Sequence, residues 1–104
     1  MRSEELKGHL DGLVLAVLAR GPLHGYAVIE ALKQRSDGVL ALPEGTVYPV
    51  LHRLEADGLL TSEWASAGGR RRRVYSLTKR GERELGLRRE RWRVFATTIE
   101  AVLT

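Results

Sequence analysis

The chain has 104 residues, 43% of them hydrophobic and 29% charged, which describes one folded domain with a modest core and excludes a disordered segment. It contains no cysteine, so it offers neither a disulfide framework nor a thiolate metal site. Its net charge of +4 is uneven: residues 1–69 hold six Lys/Arg against nine Asp/Glu, and residues 70–104 hold eleven against four.

A local basic region is the electrostatic footprint of a nucleic-acid binder, with a solvated surface as the plain alternative. No apolar run has the length needed to cross a membrane. The amino-terminal Met1-Arg2-Ser3-Glu4-Glu5 is polar and lacks the apolar centre of a signal peptide, so the expected location is the cytoplasm. A core this small gains from a partner subunit.

In chain order, Leu10, Leu13, Val14, Val17 and Leu18 recur with helical spacing and predict a first helix. Arg20-Gly21-Pro22 supplies its stop. A second helix is predicted from His24 to Arg35, with Val28, Ile29 and Leu32 inward, ending at Ser36-Asp37-Gly38. Val39 to Leu42 reads as either a short strand or an extended connector. A third helix is predicted from Glu44 to Asp57, with Val47, Val50, Leu51 and Leu54 as its buried stripe and Gly58 as its cap. Pro49 predicts a slightly irregular amino end.

Leu60 to Ala65 and Arg72 to Leu77 then read as antiparallel strands, joined through Ser66-Ala67-Gly68-Gly69. Thr78 is placed to cap a last helix reaching nearly to Thr104. In that helix Leu85, Trp92 and Ile99 stand seven apart, with Phe95 and Val102 offset by three. These five form an expected dimer seam, interrupted by Arg88. The expected fold is therefore mainly α with a small β-hairpin: a winged helix-turn-helix over 1–78 and a C-terminal dimerisation helix over 79–104, in one compact unit.

In such a layout the third helix enters the major groove. With its stripe turned inward, Gly45, Thr46, Tyr48, Pro49, His52 and Arg53 are left outward or on its edges. Tyr48 also has a plain reading, packing against the second helix. Thr46 and Tyr48 can donate to phosphates, and Arg53 can reach a phosphate or a guanine edge. The expected wing is the Gly68–Arg73 turn, whose Arg70, Arg71, Arg72 and Arg73 would follow the phosphate backbone. Alternation sends Arg70 and Arg72 one way and Arg71 and Arg73 the other. Trp64 reads as hairpin packing or core before it reads as a stacking platform. His24 and Tyr26 read as ordering the turn between the first two helices.

Catalysis finds no support. His9, His24 and His52 lack paired metal spacing. Gly68-Gly69-Arg70 lacks the Lys-Ser/Thr of a phosphate-binding loop, and no Ser sits in a nucleophile elbow. Neither metal nor cofactor is expected.

Several runs taken together carry a resemblance. They are Gly21-Pro22-Leu23-His24-Gly25-Tyr26, Gly45-Thr46-Val47-Tyr48-Pro49-Val50-Leu51-His52-Arg53-Leu54-Glu55, Asp57-Gly58-Leu59-Leu60, Ser62-Glu63-Trp64 and Arg71-Arg72-Arg73-Val74-Tyr75-Ser76-Leu77-Thr78. In this order they resemble the PadR family of bacterial transcription regulators. The resemblance implies a winged-helix homodimer joined largely through the last helix. It implies double-stranded DNA as partner, at a palindromic operator, usually for repression. The family's recognition-helix tyrosine falls on Tyr48 and its basic wing on Arg70 to Arg73. The length resembles the compact subfamily with one C-terminal helix. Some of those members hold flat ligands against a tryptophan at the dimer interface, which makes Trp92 a candidate contact for a small planar aromatic effector. The implied setting is a bacterial cytoplasm, on the nucleoid when DNA is bound. The alternative is a ligand-sensing or protein-interaction module of the same fold, with DNA binding secondary.

Overall fold

The computed structural model describes residues 3–6 and 8–104; Met1 and Arg2 of the polar amino terminus, and Lys7, lie outside them. Among the described residues the order is α1 (Ser3–Leu6), α2 (Leu10–Leu18), β1 (Leu23–His24), α3 (Gly25–Arg35), α4 (Glu44–Ala56), β2 (Leu60–Ala67), β3 (Arg70–Leu77) and α5 (Lys79–Leu103). The strands form one antiparallel sheet in the order β1-β3-β2. No helix of the described residues is long and apolar enough to cross a membrane.

One core joins these elements. It holds Val14, Leu15, Val17 and Leu18 of α2, Val28, Ile29 and Leu32 of α3, and Val47, Val50, Leu51 and Leu54 of α4. Leu60, Tyr75 and Leu85 close it from the sheet and α5. The stripes of α3 and α4 are those the spacing predicts. The α2 stripe is wider than predicted, because α2 is packed by α3, α4, β3 and α5. Leu15 is therefore fully buried, while Leu10 and Leu13 are half-buried at the edge.

Two local features depart from the sequence reading, and another chooses between its alternatives. First, the sheet has a third strand, β1, which pairs Leu23 with Tyr75 and His24 with Val74. Two residues are too few to show a period. Second, Val39 to Leu42 contains no strand. Ser36 Oγ accepts from Leu40 N at 2.8 Å and donates to Leu32 O at 2.7 Å, which folds the connector back onto α3. Third, α4 is one continuous helix through Pro49, whose missing N–H leaves only the Gly45 carbonyl without its intrahelical donor.

The passage from α4 to the wing and on to α5 is closely tied. Gly58 has φ +78°, Leu59 N donates to Leu54 O at 2.9 Å, and Gly58 N donates to Glu55 O at 3.0 Å. This left-handed closure turns the chain directly into β2. Thr78 Oγ1 accepts from Gly81 N at 3.0 Å and donates to Gly58 O at 2.7 Å, so it caps α5 and clasps the α4 turn at once. A Cβ on Gly81 would lie 2.1 Å from Leu59 O, so this approach of α5 to the turn needs glycine.

Candidate nucleic-acid interface

The buried stripe of α4 fixes what the helix shows to solvent. Gly45, Pro49 and His52 form an exposed ridge opposite the core, since i, i+4 and i+7 share a face. Thr46 is exposed on one flank, and Tyr48 is half-buried on the other. Tyr48 lies against α3: a Cβ on Gly25 would meet its Cε1 at 2.3 Å. Burial, and next the charge of Glu44, push the Tyr48 phenol above its ordinary pKa. It therefore keeps its proton at neutral pH and offers an O–H donor. Pro43 stands at the N-cap and provides no side-chain acceptor, so the first-turn N–H groups have no side-chain cap.

Arg53 is exposed on an edge of the helix and has a protein partner. Its guanidinium makes two hydrogen bonds to Asp11 of α2, at 2.8 and 2.6 Å. Arg88 of α5 approaches the same carboxylate at 3.8 Å and bonds Glu84 at 2.7 Å. Arg53 is thus turned from the ridge toward a three-helix junction, although its side chain remains 52% exposed. The Arg53 hydrogen bonds hold Asp11 below the usual carboxylate range, opposed by burial and helped by the charges of Arg53 and Arg88.

The strands of the wing are longer, and its turn shorter, than the sequence suggests. Only Gly68 and Gly69 form the turn, with φ of +59° and +78°, and Ala67 pairs with Arg70. Two positive φ values in a two-residue loop match the right-handed twist of the strands. The four arginines therefore stand in β3, not on the tip, and each takes a face by alternation. Arg71 and Arg73 lie over the Trp64 ring, their guanidinium carbons 5.0 and 5.4 Å from its centroid. Arg73 is half-buried; its Nε donates to Ser62 Oγ at 2.7 Å, and Glu55 stands 3.8 Å away. Arg72 contacts the His24 ring across β1. Burial, then the charge of Arg72, lowers the His24 pKa. Arg70 is exposed and has no ion pair among the described residues.

A solvent-facing ridge on one helix, together with a strand of exposed cations, is the combination expected of a winged helix that meets a phosphate backbone. Comparison with known proteins agrees: the model of the transcriptional regulator PadR-like family matches residues 14–87. The chain belongs to the PadR-like family. Its members are transcriptional regulators, not enzymes. A transcriptional regulator of Mycobacterium tuberculosis is 44% identical over 72 residues, covering 69% of this chain and 64% of that protein. The match thus spans less than two thirds of that relative's length. A transcriptional regulator from Clostridium thermocellum has the same architecture, with a TM-score of 0.87 at 26% identity over 94% of this chain and 96% of that one. Bacillus subtilis PadR in complex with operator DNA is similar with a TM-score of 0.69 and 26% identity, over 76% of this chain and 45% of that chain.

In this PadR-like chain α5 has two parts. Leu85 is only 4% exposed and belongs to the chain's own core, so it is not free for a partner as the heptad spacing suggests. Arg88 interrupts the heptad because it crosses α2 to reach Asp11; a Cβ on Gly12 would lie 3.3 Å from its Cδ. Beyond it Trp92, Phe95, Ile99 and Val102 are all exposed, Val102 by 81%. The Trp92 ring meets His9 edge-on at 5.3 Å and Phe95 at 5.8 Å. Leu87, Val94 and Leu103 are also exposed; Leu103 follows the line of Ile99, while Leu87 and Val94 stand on a separate flank of the helix. The helical spacing of Leu87 and Val94, seven apart, was the signal for them.

Proposed function

We propose that the chain is a homodimeric, sequence-specific DNA-binding repressor that reads a palindromic operator. The observation that carries this reading is the solvent-facing α4 ridge of Gly45, Pro49 and His52 together with the exposed Arg70 and Arg71 of the wing, neither of which has an ion pair among the described residues. Tyr48 and Thr46 supply donors on the flanks of that ridge. The family membership and the likeness to an operator-bound PadR support it. Arg73, Arg72 and Arg53 have protein partners, and their share in DNA contact is smaller.

Trp92, Phe95, Ile99 and Val102 form the proposed seam with a second copy, for they leave apolar surface in water that a twin helix would cover. Trp92 is the proposed contact for a planar aromatic effector that loosens the grip on DNA. The location proposed is the bacterial cytoplasm, on the nucleoid.

Fluorescence anisotropy on the duplex upstream of the chain's own gene, against a shuffled duplex at moderate salt, tests the DNA reading. Tighter binding to the first supports it, and equal binding refutes it. Quenching of Trp92 emission by flat aromatic compounds in a Trp64→Phe background tests the effector. Its absence removes Trp92 from that role.

A further inference from the structure

Among the described residues the outer half of the wing has no core. Leu60 and Tyr75 are the hairpin's buried residues, and Glu63 to Ser66 and Arg70 to Arg72 are all exposed. Trp64 sits in this region with 55% of its surface in water. A ring there does little for folding by burial, yet it organises what surrounds it.

The β2–β3 register pairs Trp64 with Arg73, Ser66 with Arg71 and Ser62 with Tyr75. These residues share one face of the hairpin, the face that also holds Leu60 and Tyr75 against the helices. Ser62 Oγ donates to Glu55 of α4 at 2.6 Å, so this face looks toward α4. The two arginines over the ring are not equivalent. Arg73 is tied to Ser62 and Glu55. Arg71 has no ion pair among the described residues, and its contact is the indole ring at 5.0 Å.

We propose that Trp64 is a positioning residue for DNA binding: it holds the Arg71 guanidinium on the α4 side of the wing and presents it to a backbone phosphate. This rests on the DNA-binding reading above. A guanidinium that lies over a ring uses its face, and its N–H donors project in its own plane, where a phosphate can take two of them. A phosphate also relieves the repulsion between two cations gathered at one ring. Arg73, held through Ser62 and Glu55, is the second cation that keeps the ring in register.

Operator affinity over a salt series, measured for the full chain, tests this. Trp64→Leu is expected to bind about fivefold more weakly on every duplex, with the salt slope lowered by about one, as for Arg71→Ala. Trp64→Phe is expected to recover most of that loss. In an Arg71→Ala background Trp64→Leu is expected to cost nothing more. Losses that multiply would mean that Trp64 touches DNA itself, and they overturn the proposal, as does wild-type affinity in Trp64→Leu. The free protein gives a second reading by NMR: the Arg71 Nε–H proton should carry an upfield ring shift that Trp64→Leu abolishes. Absence of that shift also overturns it. A wild-type chain without preference for its operator sinks the DNA reading instead, whatever the ring shift shows.

Discussion

A methyl group at Gly25 would need the space that the Tyr48 ring fills, with 2.3 Å between Cβ and Cε1. Gly25→Ala is therefore expected to turn the ring out of its seat, cost about 1–3 kcal/mol of stability, and weaken operator binding; urea unfolding and anisotropy measure the two effects. Tyr48→Phe keeps the packing and removes only the O–H donor, so it should leave stability near wild type and cost about 1 kcal/mol of binding. Asp11 gives a pH prediction. Arg53 lowers its folded pKa, so the ion pair adds stability that is complete above the ordinary carboxylate value of about 3.9 and is lost as pH falls through the folded value. Asp11→Asn should cost about 1 kcal/mol at pH 7, and the gap from wild type should close in acid. At this scale the sequence shows which side chains leave the α4 stripe, and offers the second predicted helix as one neighbour for Tyr48, but not the atoms that stand beside them. Tyr48 meets a glycine from α3, and Arg53 meets a carboxylate 42 positions earlier in the chain. Helical spacing puts Arg53 outward or on an edge and carries no information on the carboxylate it meets there.

Helices here start and stop where local chemistry demands. Gly58 and Thr78 were legible because a left-handed closure and a cap each need a particular residue type. What Thr78 also does, clasping Gly58 O across 20 positions, was not. Thr78→Ala loses both bonds and should cost about 1–2 kcal/mol, read as a lowered midpoint in thermal unfolding. Gly86 offers the contrast: nothing lies within 4 Å of an added Cβ, so Gly86→Ala should stabilise α5 by about 0.5–1 kcal/mol. Where the turn ends and β3 begins is not legible in a run of like charges. Four arginines show no period in polarity, although they stand in a strand where successive side chains take opposite faces. The tip is legible in Gly68-Gly69, and the turn is shorter than the expected Gly68–Arg73.

Across the whole molecule, α5 is the element that does not end with the domain. Its 25 residues extend about 37 Å; the first turns rest on the core and α2 through Leu85 and Arg88, and the Trp92 ring meets His9 at the start of α2. The molecule is accordingly long, 54 × 29 × 20 Å. The charge split and the apolar spacing of α5 were visible in the sequence. The place where α5 passes from intramolecular packing to a free face was not, since Leu85 and Trp92 occupy equivalent heptad positions. Replacing Phe95 and Ile99 with Glu should give a folded monomer by sedimentation, with operator binding markedly reduced because two half-sites are no longer held together. The division of labour between α4 and the wing is tested most directly by one titration series: operator and shuffled duplexes bound by wild type, by His52→Ala and by an Arg70→Ala/Arg71→Ala variant. The expected result is that His52→Ala lowers the ratio of the two affinities, while the wing variant weakens both duplexes together and keeps that ratio. A wing variant that loses the ratio, beside a His52→Ala chain that retains it, would contradict the assignment.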